Sequence, residues 1–123
     1  MLFGVICVGI SLAHLAVGPD AIMGGSQVNA TSDGEDRFYA GLFGAFGLAA
    51  IWCARDVERK QVYVSALAAA FLIGGIGRLI SFIVVGRPHP FFLAMLVVEL
   101  VLPVLMVLMA KRVAALSQAQ QPR

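Results

Sequence analysis

Residues 62–85 read VYVSALAAAFLIGGIGRLISFIVV, an apolar run broken by a single charge, Arg78. Coiled as an α-helix at about 1.5 Å per residue, such a run crosses a hydrocarbon layer of roughly 30 Å. A full charge near the middle of that layer costs roughly 2.5 to 3.5 kcal/mol even on lenient insertion scales, so it pairs, lines a wet cavity or serves function. A residue of opposite sign, Glu99, stands equally alone in the next apolar run.

Three further apolar runs accompany this one: Phe3 to Val17, closed by Gly18 and Pro19; Phe38 to Ala54; and Phe91 to about Ala110, which follows Pro88 and Pro90 and contains Glu99 and Pro103. Pro90 suits a first helical turn. Of the 123 residues, 60% are hydrophobic and 13% charged, against about 25% charged in an ordinary soluble domain, and the mean hydropathy is +0.91. The fold class is therefore all-α: a polytopic membrane protein, a four-transmembrane-helix bundle over residues 1–112, with residues 113–123 a short, frayed cytoplasmic tail. The first run is marginal in length, and Ala16, Val17 and Gly18 imitate a signal-peptide cleavage site. No basic residue precedes it and Pro19 would hinder the cut, so it is read as a span. The second run has a signalled start: Ser32 and Glu35 have capping-box spacing, and Asp33 and Asp36 add negative charge at the positive end of the helix dipole.

Orientation follows from Lys and Arg in the connections. Arg55, Arg59 and Lys60 lie between the second and third runs, and Lys111, Arg112 and Arg123 follow the fourth; the opposite side has Arg37 and Arg87 beside Asp20, Asp33, Glu35 and Asp36. Both termini are expected in the cytoplasm, with the loop from Pro19 to Arg37 outside. Trp52, Tyr63 and Tyr39 then fall at the interfaces that amphipathic aromatics prefer.

This topology levels the two isolated charges. Arg78 lies seven residues before Val85 and Glu99 eight after Phe91, about 10 to 12 Å below the same end. Helical side chains lean toward the helix N-terminus, which sends the two in opposite directions, so direct contact requires the arginine stem to bend back or a water to bridge. Gly74 and Gly75 leave room on the face over which Arg78 leans, and Ser81 adds a hydroxyl to it. Pro103 deprives the Glu99 carbonyl of its usual donor and is expected to kink the helix. Two readings stay open: a charge pair that stitches the helices together, and a ligand or proton site. His14, one turn below the end of the first span, is a candidate for the same niche, as are Glu35, Arg37 and Tyr39 at the start of the second. Their plain alternatives are a histidine bonded to a neighbouring helix and a solvated helix start.

Other chemistries lack their signatures. Gly41, Gly44 and Gly47 recur every third residue, a pattern for close helix contact, and neither they nor Gly74, Gly75 and Gly77 follow a strand as a nucleotide fingerprint does. Cys7 and Cys53 are isolated and a disulfide between them is not expected. His14 and His89 have no metal-ligand spacing, no cofactor is indicated, and no basic stripe with interleaved aromatics points to nucleic acid. Asn29, Ala30 and Thr31 form a glycosylation triplet, relevant only in a eukaryotic secretory pathway.

The run Gly74-Gly75-Ile76-Gly77-Arg78-Leu79-Ile80-Ser81, with Gly86-Arg87-Pro88, Glu99 and the earlier Glu35-Asp36-Arg37-Phe38-Tyr39 and Gly41, resembles a bacterial family of small four-helix membrane proteins known only as a domain of unknown function. The resemblance covers most of the chain. It implies a four-span fold distantly similar to DoxX-like membrane proteins, some of which associate with quinone or thiol redox partners, and it implies that Arg37, Arg78, Ser81 and Glu99 are characteristic polar positions. It brings no catalytic residue or cofactor, and the paired cysteines of thiol chemistry are missing. The expected function is that of a bacterial inner-membrane protein which binds a small amphipathic ligand, a lipid or a quinone, in an outer-half pocket around Arg78 and Glu99, joined by His14, Arg37, Glu35, Tyr39 and Ser81. The alternative is an accessory subunit packed against a larger membrane complex or a second copy of itself. An enzyme in which His14 and Glu99 shuttle a proton ranks third.

Overall fold

A computed structural model of the protein describes residues 1–25 and 28–119. Four helices follow one another: α1 Leu2–Val17, α2 Ala30–Ala54, α3 Gln61–Val85 and α4 Pro90–Ala119, with a 3₁₀ turn at Gly18–Ala21 and no strand among the described residues. All four are long and apolar enough to cross a membrane, the first when counted with its 3₁₀ turn as Leu2–Ala21, 20 residues. The marginal length of the first run is thus made up by the turn. The chain divides into two compact units, residues 1–55 holding α1 and α2, and a second from Asp56 onward holding α3 and α4.

Exposure is inverted relative to a water-soluble protein. The buried positions are mostly small, including Cys7, Ala40, Cys53, Ala68 and Ala110, while Val62, Val84 and Val85 are at least three-quarters exposed. An apolar belt of that extent would associate in water. In lipid it is the expected outer surface, and helices there adhere through small residues that let backbones approach.

The first unit shows that adhesion. A Cβ placed on Gly47 would stand 2.8 Å from the Gly4 carbonyl oxygen and 2.9 Å from Cys7 Cβ, and one on Gly44 would stand 2.5 Å from Ser11 Oγ. Gly41 meets nothing within 4 Å, so two of the three spaced glycines serve this contact. The buried Ser11 hydroxyl donates to the Ala40 carbonyl across the two helices at 2.6 Å. Cys7 and Cys53 are both buried, and neither is in a disulfide.

Helix α2 begins eight residues before the apolar run does. Its N-cap is Asn29, whose side-chain oxygen accepts from the Ser32 amide at 3.0 Å. Ser32 is therefore inside the first turn and does not cap, a correction to the capping-box reading: Ala30 to Arg37 is too polar to register as membrane span yet continues the same helix.

In the second unit, Gln61 Nε2 donates to the Ala110 carbonyl at 3.3 Å, and a Cβ on Gly75 would stand 2.9 Å from Glu99 Cβ and 3.2 Å from its backbone carbon and oxygen. These two contacts fix the register of α3 against α4. Helix α3 stops at Gly86, which has φ 115°, a conformation that a side chain would strain. His89 starts α4: its ring accepts from the Phe91 amide at 3.3 Å and its carbonyl from the Phe92 amide at 2.9 Å. Pro103 is accommodated inside a continuous α4, which runs past Ala110 through residues 113–119 as helix. Arg123, counted above with the basic tail, lies outside the described residues.

Candidate functional site

Register alone brings Arg78 and Glu99 together, because Gly75 sits against the Glu99 backbone one turn before Arg78. Arg78 Nε donates to Glu99 Oε2 at 2.7 Å and Nη2 to Oε1 at 2.9 Å, a two-pronged fork. The opposing lean of the side chains is overcome directly, without a bridging group. The Arg78 guanidinium carbon also stands 5.4 Å from the centroid of the Phe92 ring, close enough for a cation–π attraction. Glu99 is the more enclosed partner, its side chain 12% exposed against 36% for Arg78.

Pairing makes both charges tolerable at this depth. A charge-assisted bidentate contact is about twice as strong as neutral hydrogen bonds, and the pair carries no net charge. The guanidinium nevertheless has N–H groups to spare. Nη1 and the second proton of Nη2 have no acceptor among the described residues, while Glu99 has both oxygens engaged. What the arrangement can do chemically is offer donors to a guest without offering it a net charge.

Ser81 does not join the pair. It is exposed and makes no hydrogen bond among the described residues. Gly74 is likewise open, with nothing within 4 Å of a Cβ built on it, so of the two adjacent glycines only Gly75 makes the close approach.

A second polar cluster ties the end of α1 to the start of α2. His14 Nδ1 lies 3.0 and 3.1 Å from the two carboxylate oxygens of Asp36. One turn away, Arg37 grips Asp33 with Nε at 2.9 Å and Nη2 at 3.1 Å, and its Nη1 donates to the Leu15 carbonyl. That carbonyl belongs to the last turn of α1, where helix geometry leaves carbonyls unpaired. Arg37 therefore closes the end of one helix while anchored to the other. Gly18 makes this possible twice over: its φ is 62°, and a Cβ there would stand 2.5 Å from Asp33 Oδ1 and 2.8 Å from Arg37 Nη2. A cleft of about 430 Å³ opens beside the cluster, lined by Asp20, Asn29, Asp33 and Arg37 among others.

Of the other expected site residues, Glu35 is exposed with no polar partner among the described residues, and Tyr39 is 61% exposed with its ring against Phe38 at 5.5 Å. His14 and Arg37 thus share a cluster in the first unit, and Arg78 and Glu99 form theirs in the second. Sequence reasoning missed the anchoring roles of Asp33 and Asp36 and the ring of Phe92. The Asp33-to-Arg37 spacing of four was a readable signal; nothing in the sequence marks Phe92.

A family profile described as "Domain of unknown function (DUF4345)" matches residues 1–110, a stretch that includes both polar clusters. No curated protein and no solved structure matches the chain.

Proposed function

The chain belongs to the DUF4345 family by that match, and from its own geometry we propose that it is a multi-pass membrane protein which holds a small amphipathic ligand, a lipid or a quinone, by its head at Arg78 and Glu99. The observation that carries this reading is the fork itself: a paired guanidinium, still 36% exposed along its side chain, with N–H groups lacking an acceptor among the described residues. A purely structural pair is expected to use its donors up, since an unmet donor in an apolar setting is costly. The helices that carry the fork also expose aliphatic side chains to the apolar layer, including Ile80 at 55% and Val97 at 59%.

The location we propose is a bacterial inner membrane with both termini cytoplasmic. Basic residues Arg55, Arg59, Lys60, Lys111 and Arg112 then face the side where the positive-inside rule puts them, and the Arg78 pair lies in the outer half. Purification from native membranes followed by mass spectrometry of bound small molecules tests the ligand reading. A compound copurifying with the parent should be depleted at least tenfold in Arg78→Ala; equal occupancy in the two proteins refutes it.

The alternative, an accessory subunit, has its own support in Gly41, Gly74 and Gly77, each with nothing within 4 Å of a built Cβ. Open glycines on a membrane helix are places where another helix can approach closely. Crosslinking in native membranes should then give discrete larger species, and a wholly monomeric pattern removes this reading.

A further inference from the structure

We infer that the head group taken at Arg78 is a neutral hydrogen-bond acceptor, a ketone, quinone or ester carbonyl, and not a carboxylate or phosphate. The inference rests on the ligand reading above and narrows it to a chemical class.

Charge balance selects the head group. An arginine standing alone would recruit anions, and its planar fork is well suited to phosphate and carboxylate. Here the fork is already occupied by a carboxylate: Nε and Nη2 hold both oxygens of Glu99 at 2.7 and 2.9 Å. The donors still available, on Nη1 and the outer side of Nη2, belong to a pair whose net charge is zero. An anionic head at those donors would sit beside the Glu99 carboxylate and leave the site with an uncompensated negative charge. In apolar surroundings that is the expensive outcome, and like charges at such separations repel.

No second cation on α3 or α4 is placed to offset it. Arg87 is the nearest basic residue in sequence, nine positions on and beyond the end of α3, about 13 Å farther along a helical path. Lys60, Lys111 and Arg112 belong to the other end of these helices, where Gln61 meets Ala110. A carbonyl oxygen escapes the difficulty. It accepts the spare N–H groups, adds no charge, and leaves the ion pair intact. The Phe92 ring contact with the guanidinium is equally undisturbed.

The test uses the purified full chain in neutral detergent and three probes sharing a ten-carbon chain: a decyl-substituted benzoquinone, monodecanoylglycerol and decyl phosphate. Binding is read by equilibrium dialysis. At least one carbonyl probe should bind the parent tenfold or more tightly than decyl phosphate, and which of the two binds distinguishes a quinone from a lipid ester as the source of the carbonyl. Glu99→Gln frees the charge of the guanidinium, so decyl phosphate should gain tenfold or more in that variant. Arg78→Lys keeps the pair neutral while removing the fork; it should bind the carbonyl probe more weakly but still prefer it to decyl phosphate, and it supplies the comparison if Glu99→Gln does not fold. Decyl phosphate binding the parent as tightly as the carbonyl probes overturns the head-group assignment and leaves the ligand site standing. If no probe binds the parent, or binding is unchanged in Arg78→Ala, the ligand site itself falls.

Discussion

Glu99→Met is the substitution from which the energetics of the pair are most directly read. It removes both acceptors of the Arg78 fork and strands a guanidinium, a group that cannot shed its charge. Taking one partner from a buried pair costs roughly 3 to 5 kcal/mol, and an arginine at the bilayer centre roughly 2.5 to 3.5 kcal/mol on insertion scales. With the Arg78 side chain 36% exposed, the lower end applies, and a loss of about 2 to 3 kcal/mol is expected. Arg78→Met strands Glu99 instead. A carboxyl in apolar surroundings can take up a proton and become neutral, so the loss should be smaller, about 1 to 2 kcal/mol. The double variant Arg78→Met, Glu99→Met leaves no charge to strand and should lie within about 1 kcal/mol of the parent, because replacing a buried pair by apolar side chains is often nearly neutral. Reversible unfolding in mixed micelles, followed by far-ultraviolet circular dichroism, gives the four stabilities of the cycle. The coupling energy should be about 2 kcal/mol or more. If the double variant loses the sum of the two single losses, the charges do not stabilise one another.

Three further outcomes follow from close contacts and caps. Gly75→Leu puts a side chain where even a Cβ stands 2.9 Å from Glu99 and should destabilise by about 2 kcal/mol or more through overpacking, whereas Gly74→Leu meets open space and should stay within about 0.5 kcal/mol; thermal unfolding in detergent separates them. Gly18→Ala combines a left-handed φ of 62° with an approach of 2.5 Å to Asp33 and should cost about 2 to 3 kcal/mol, while Gly9→Ala, in open helix, should be neutral or stabilising by about 0.5 kcal/mol. Asn29→Ala removes the cap of α2 and should cost about 1 kcal/mol, against less than about 0.5 kcal/mol for Ser32→Ala; equal losses would return the cap to Ser32.

The second unit was legible from sequence and the polar end of the first was not, for a physical reason that particular residues make clear. Arg78 and Glu99 stand out because a charge in an apolar run is anomalous, and a connection as short as Gly86 to His89 forces consecutive helices antiparallel, so distance from the shared end converts into common depth. Nothing more than chain length and sign of charge was needed to anticipate that they meet. The Phe92 contact requires knowing how α4 is rotated, which periodicity cannot supply when the helix is apolar on most sides. In the first unit, hydropathy locates where a helix enters the apolar layer and says little about where the helix begins. Asp33, Asp36 and Arg37 stand in α2 before that entry, where the sequence signals a helix start but not which side chains its charges meet. Once the helix is known to start at Ala30, Asp33 and Arg37 are one turn apart, and a guanidinium anchored in this way can reach the last carbonyls of α1. The two clusters therefore illustrate different uses of arginine in a membrane protein. Arg37 donates to a carboxylate and to a helix end, so its donors are directed at the protein itself. Arg78 has a carboxylate and a ring but no carbonyl to receive its outer N–H groups among the described residues, and that difference leaves donors for a guest at Arg78 that Arg37 spends on the end of α1.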